Sequence, residues 1–352
     1  MYTFEQLMMQ AVELHASDLH LSSGRPPSCR IYGIITPMTD ERLMPTDVDA
    51  IATAIMSDHQ IATLREDGEV DFAHSIHSLG RFRVNVFRQR GSTALVARIL
   101  NLEIPAPEQL GIPQSVVEMV HKKRGLVLVT GATGSGKSTT LASLLNIINH
   151  TYNYHIITLE DPIEYLHKHD KSIVNQREMG NDSKSYASAL RAALRQDPDV
   201  ILVGEMRDLE TISIAITAAE TGHLVFSTLH TIGAANTIDR IIDVFPPYQQ
   251  QQIRTQLADV LECVVSQQLL PKKSGKGRVS AMEVMISNSA IKNHIREAKT
   301  FQIPSVLQTG KKAGMQTMDD AIYDLYTRGD ISGETAMLFA QDRAALGKKV
   351  MY

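Results

Sequence analysis

The stretch GLVLVTGATGSGKSTTLASLL, Gly125–Leu145, changes its hydrophobic rhythm in the middle. GLVLVT is a short, continuously apolar run of the kind buried on both faces of a sheet, and TTLASLLNIINH reads as a helix. Between them Gly131, Gly134 and Gly136 let backbone N–H groups turn inward around an anion, and the following helix adds the positive end of its dipole. Strand, glycine loop and helix in that order match G-x-x-x-x-G-K-[ST], the Walker A phosphate loop. The candidate nucleotide-binding set is therefore Gly131, Ala132, Thr133, Gly134, Ser135, Gly136, Lys137, Ser138 and Thr139. For bound ATP, Lys137 is placed to bridge the β- and γ-phosphates, with ADP as the other nucleotide state of the site, and Ser138 is placed to ligate Mg²⁺.

Working outward, apolar β runs alternate with helices: HIITLE, SYASALRAALRQ, DVILVGE, ETISIAITAAE and HLVFSTLH. That alternation predicts a mostly parallel sheet covered by helices. From Tyr248 onward helices are expected to dominate, interrupted by RVSAMEVMI. Within them SAIKNHIREAKTFQI, Ser289–Ile303, is amphipathic, with Ile291, Ile295 and Ala298 on the apolar side and Lys292 and Arg296 on the polar one. Upstream, residues 1–98 read as an α+β domain. There Phe82, Val84 and Val86 alternate with Arg81, Arg83 and Asn85 along a strand. NLEIPAPEQLGIP resists both helix and sheet and makes 99–115 the expected linker, leaving 116–352 as a nucleotide-binding domain with C-terminal helices from about 287 to 352.

The chain has 352 residues, 43% hydrophobic and 21% charged, and a formal net charge of −4. That balance, with no tryptophan and 5% aromatics, speaks against a nucleic-acid-binding surface. No apolar run of about 18 residues and no signal peptide are read, so the expected compartment is the cytoplasm. Cys29 and Cys263, far apart and outside any C-x-x-C pattern, are expected as buried small hydrophobes.

A nucleotide hydrolase also needs an acid at a neighbouring strand end to orient water or hold the metal's water shell. DPDVILVGEMRD offers Glu205 there, after Gly204. HIITLEDPIEY gathers Glu160, Asp161 and Glu164, whose mutual repulsion calls for a cation such as Mg²⁺ with Lys137. TGHLVFSTLHT puts His230 at the carboxyl end of its strand, the edge where α/β proteins bind ligands, and His223 at the far end, where a structural duty fits better.

In this order, SDLHLS, GATGSGKST, TLEDPIEY, LRQDPDVILVGEMRD, GHLVFSTLHT and GMQTMDDAI resemble the hexameric secretion and type IV pilus motor ATPases, over essentially the whole chain. The resemblance implies a PAS-like N-terminal α+β domain and a RecA-like P-loop domain with a mostly parallel sheet and a helical end. It implies Glu205 as the acid that polarises water, Glu160, Asp161 and Glu164 as the acidic box beside Mg²⁺ with Glu160 and Glu205 acting on the ion through water, and His230 as a γ-phosphate sensor. Arg83 and Arg98 match arginines that the family brings to the phosphates, and Arg191, Arg195 and Arg207 match candidates for subunit contacts. AIKNHIRE, Ala290–Glu297, is similar to the AIRNLIRE motif of the retraction branch, with Lys and His at its third and fifth positions. Implied partners are five further copies in a ring, the pilus platform protein of the inner membrane and a paralogous retraction ATPase. The implied location is the cytoplasmic face of the membrane at the pilus base.

Overall fold

The structure is a computed structural model that describes residues 2–31, 33–77, 79–99 and 103–350. The remaining residues, 1, 32, 78, 100–102 and 351–352, include three positions of the expected linker and the last two of the expected C-terminal helices, which thus lie outside the described residues. The chain divides into one unit of residues 1–103 with Glu164–Leu166, and a second of Ile104–Ile163 with His167–Tyr352.

The first unit is built on six strands: β1 (Asp18–Ser22), β2 (Ser28–Ile31), β3 (Ile34–Pro37), β4 (Glu69–Ile76), β5 (Gly80–Gln89) and β6 (Ser92–Ile99). They form an antiparallel sheet in the order β3-β2-β1-β6-β5-β4. The period-two pattern of β5 sends Phe82, Val84 and Val86 into a core closed by Phe4, Leu7, Met8, Val48 and Ile51 of two helices. Arg83 is left on the outer face.

The second unit holds β7 (Gly125–Thr130), β8 (His155–Glu160), β9 (Ile173–Glu178), β10 (Val200–Val203), β11 (Leu224–Leu229), β12 (Leu261–Pro271) and β13 (Arg278–Ile286). Their order is β13-β12-β7-β11-β10-β8-β9, parallel throughout except for the β12–β13 pair. Every residue of β7, β10 and β11 is buried, as their unbroken apolar composition requires. The phosphate-loop helix, Lys137–Thr151, packs on one face through Leu141, Leu144 and Ile148. The helices Tyr186–Ala193, Leu209–Glu220 and Ala234–Asp243 pack on the other. Cys29 and Cys263 are free and buried.

Three local expectations change. The proline-rich stretch is not without structure: Pro107–Leu110 and Gln114–Val117 are helical turns, and Ile112 and Val116 enter the second unit's core. Pro107 stands at the first helical position, where its missing N–H costs nothing. β9 and β12 are strands that the reading of the sequence passed over, β12 because it follows the helix Pro247–Val260 without an intervening loop. Finally, Ala298 is not on an apolar stripe. Its helix ends at Arg296, and Ala298 is exposed with φ +56°. The Lys299 N–H donates to His294 O and the Ala298 N–H to Ile295 O, a Schellman closure with alanine where glycine is usual. Ile291 and Ile295 are fully buried as expected.

Candidate functional site

Because β7, β11, β10 and β8 run parallel and adjacent, their carboxyl ends share one edge. That edge places the loop from Gly131, the His230 turn, Glu205 and the Glu160–Asp161 turn next to one another. Gly131, Gly134 and Gly136 all take positive φ. A Cβ on Gly131 would stand 2.3 Å from the carbonyl oxygen of Gln267, so the loop's first position admits only hydrogen there. Gln267, nearly fully buried on β12, also accepts a 2.8 Å hydrogen bond from Thr140 Oγ1, and so braces loop and helix from beneath. The sequence reading missed it because its strand was missed.

Lys137 is buried and its Nζ donates to the carbonyls of Gly131 (2.8 Å) and Ala132 (3.1 Å). The same Nζ stands 3.5 Å from His230 Nδ1, and His230 Nε2 is 3.2 Å from Glu205 Oε1. An ammonium can only donate, so the neutral imidazole fits with Nδ1 accepting and Nε2–H donating to Glu205. Glu205 Oε2 accepts from Arg207 Nη2 at 2.7 Å. Burial favours the neutral carboxyl of Glu205, but the hydrogen bond and charge of Arg207, with the hydrogen bond from His230, outweigh it and hold the group below the usual carboxylate range. Lys137, His230, Glu205 and Arg207 thus form one chain of contacts that leaves an ionised acid beside the phosphate loop.

Glu160 Oε1 accepts from Thr158 Oγ1 (2.7 Å) and Gln176 Nε2 (3.1 Å). Asp161 is exposed at the following turn, and Glu164 is exposed and belongs to the first unit. Tyr186, not among the residues singled out from the sequence, presents its hydroxyl here. A Cβ on Gly204 would lie 2.9 Å from it. Burial, then the charges of Asp161, Glu205 and Glu160, push the phenol's pKa up and keep it a hydrogen-bond donor.

On the first unit's sheet, Arg83 and Arg98 are directly opposed in the β5–β6 register. Like charges so placed repel, and each has a carboxylate: Arg83 Nη2 lies 2.5 Å from Asp71, and Arg98 Nε 2.9 Å from the buried Asp18. Burial raises the Asp18 carboxyl, but Ser17 and Arg98 overcome it and lower its pKa. Arg191 pairs with Glu210, and Arg195 is exposed. His223 Nδ1 lies 2.9 Å from Ala218 O at the far end of β11, in keeping with structural duty.

β12 and β13 meet the site from the side. Ser266 Oγ accepts from the Gly233 N–H at 2.9 Å, and its register partner Glu283 accepts from the Ala234 N–H at 2.7 Å. Burial raises the pKa of Glu283 in spite of the N–H groups of Ala234 and Met318 that donate to it.

A glycine-rich phosphate loop with a conjugate lysine, on a mostly parallel sheet with an ionised glutamate at the adjoining strand end, defines a P-loop nucleotide-binding protein. The chain belongs to the Type II/IV secretion system protein family, whose model matches residues 2–312. It is 48% identical over 331 residues to the type IV pilus retraction ATPase PilT of Pseudomonas aeruginosa, an alignment spanning 94% of this chain and 96% of that one. It is 40% identical over 337 residues to the type IV pilus ATPase PilU of the same organism, spanning 96% and 88%. A solved structure of the pilus retraction motor PilT with bound ADP superposes with a TM-score of 0.93 at 53% identity, covering 99% of this chain and all of that one. Among the described residues no helix is long and apolar enough to cross a membrane.

Proposed function

We propose that this protein is an ATPase that powers retraction of type IV pili, working as a ring of six copies at the cytoplasmic face of the membrane, against the platform protein of the pilus base. The observation that carries the reading is the contact chain Lys137–His230–Glu205–Arg207 at the mouth of the phosphate loop, in a chain similar to PilT over 94% of its length.

The glycine cradle would bind the nucleotide's phosphates through backbone N–H groups, with Lys137 giving up its two carbonyls for the β- and γ-phosphate oxygens. Ser138 would hold Mg²⁺, with Glu160 and Glu205 acting on its water shell. The fit rests on the open, inward-turned loop and on Ser138 in the first helical turn. When bound, the ion neutralises charge on the phosphates. Glu205, kept ionised, accepts a hydrogen bond from the attacking water and orients it, and His230 stands where a γ-phosphate oxygen would replace Lys137 as its partner. For Arg83 and Arg98 the proposed role is donation to nucleotide phosphates during turnover, which requires each to release its carboxylate.

ATPase assays of the purified chain, with Lys137→Ala as control, test the enzyme. Deletion of the gene, scored by twitching, tests the motor. A deletion strain that still twitches normally would leave the enzyme standing and favour the second reading, an accessory retraction subunit, which the similarity to PilU supports.

A further inference from the structure

A cavity of about 320 Å³ opens behind Glu205 and His230. Its other walls include Ile212 of the helix Leu209–Glu220 and Arg240 of the helix Ala234–Asp243, so it lies on the sheet face opposite the phosphate-loop helix. Arg207 also lines it but is tied to Glu205. Arg240 is exposed and, among the described residues, forms no ion pair. The cavity therefore offers a guanidinium without an ion-pair partner, an imidazole edge, the Glu205 carboxylate already paired with Arg207, and room for an anion with several waters at about 30 Å³ each.

We propose that this cavity is a subsite for inorganic phosphate, in which the cleaved γ-phosphoryl group is held by Arg240 before it leaves. The inference rests on the ATPase reading. In an in-line displacement the water oxygen forms a bond to the γ-phosphorus while the bond to the β-phosphate oxygen breaks. ADP keeps that electron pair, and both water protons remain on the product, H₂PO₄⁻. The phosphorus moves toward the attacking oxygen, hence toward Glu205, while ADP still fills the loop behind it. The product's open path is then past Glu205 and His230 into the cavity, where Arg240 supplies the charge that the departing anion needs.

The test is steady-state ATP hydrolysis by the full chain with added inorganic phosphate, comparing wild type, Arg240→Ala and Arg240→Lys. Loss of one charge-assisted contact should raise the inhibition constant for phosphate by about tenfold in Arg240→Ala. Arg240→Lys should recover part of it, and the KM for ATP should stay within about twofold. Unchanged phosphate inhibition in Arg240→Ala, or a wild type insensitive to phosphate, would overturn the proposal. If the wild type hydrolyses no ATP, the ATPase reading fails instead. Calorimetric titration of phosphate into the ADP-bound wild type and Arg240→Ala still decides the pocket: weaker binding by the variant supports it, and equal or undetectable binding overturns it.

Discussion

At the carboxyl edge of the parallel sheet Lys137, His230, Glu205 and Arg207 already touch one another; on the antiparallel sheet Arg83 and Arg98 face each other and are each neutralised by an aspartate. The first group is assembled around a place where charge has still to arrive. The second is satisfied as it stands, and any further use begins with breaking a pair. The two pairs also differ. Arg83 and Asp71 are both nearly half exposed, so their bridge is worth about 0–1 kcal/mol. Asp18 is only 8% exposed, so losing Arg98 leaves a buried charge with Ser17 and the more distant Arg30, at 3.9 Å, as its remaining partners, which costs more.

The sharpest way to break this contrast is Glu205→Gln. If the parallel edge is preassembled for catalysis, turnover should fall about 10²- to 10³-fold while ADP affinity, followed by calorimetry, changes little; near-normal turnover would remove Glu205 from the site. Acid separates the regions next. Burial and then the nearby His150 lower the His167 pKa to about 4 from its usual 6.5. The unfolded chain therefore takes the proton first, and the stability this histidine lends is full above pH 6.5 and lost as pH falls toward 4. The loss should approach about 3 kcal/mol, seen in urea melts of the wild type and flattened in His167→Gln. Within the first unit, Asp18→Asn should destabilise by about 1–2 kcal/mol and Asp71→Asn by under about 0.5 kcal/mol; equal effects in thermal melts would show that the two arginine pairs do not differ. The smallest effect lies outside both regions. Ala298→Gly relieves a left-handed alanine and should add at most about 1 kcal/mol to stability, measurable by the same melts.

The phosphate loop and its flanking strand and helix were legible because each demands a local residue pattern: apolar run, spaced glycines, Lys137 and Ser138. The positions of Glu205 and His230 at strand ends followed equally from sequence, since a buried parallel strand leaves little freedom in where it stops. What was not legible is what reaches the loop from afar. Gln267 sits more than a hundred positions along the chain on a strand whose apolar residues suit a helix as readily, and its importance comes from standing under Gly131. Tyr186 reads as an ordinary helical aromatic, and only the close approach of Gly204 reveals its hydroxyl near the acids. That Arg83 opposes Arg98 is a matter of register, fixed by the hairpin at Gly91 and not visible in either strand alone. Ala298 failed for a related reason. Helical spacing extrapolates past a terminus that hydrogen bonding, here from Lys299 to His294, has already closed.

The β12–β13 ribbon has a mechanical meaning. Gln267, under the phosphate loop, follows Ser266 directly, and their partners across the ladder are Met282 and Glu283. Ser266 and Glu283 hold the turn after His230. One rung further, Val284 pairs with Gln316, at the entry to the helix Met318–Thr327. Phosphate cradle, sensor turn and C-terminal helices are therefore bolted to successive rungs of a single stiff bar. All three thus share one backbone ladder instead of resting on three separate supports.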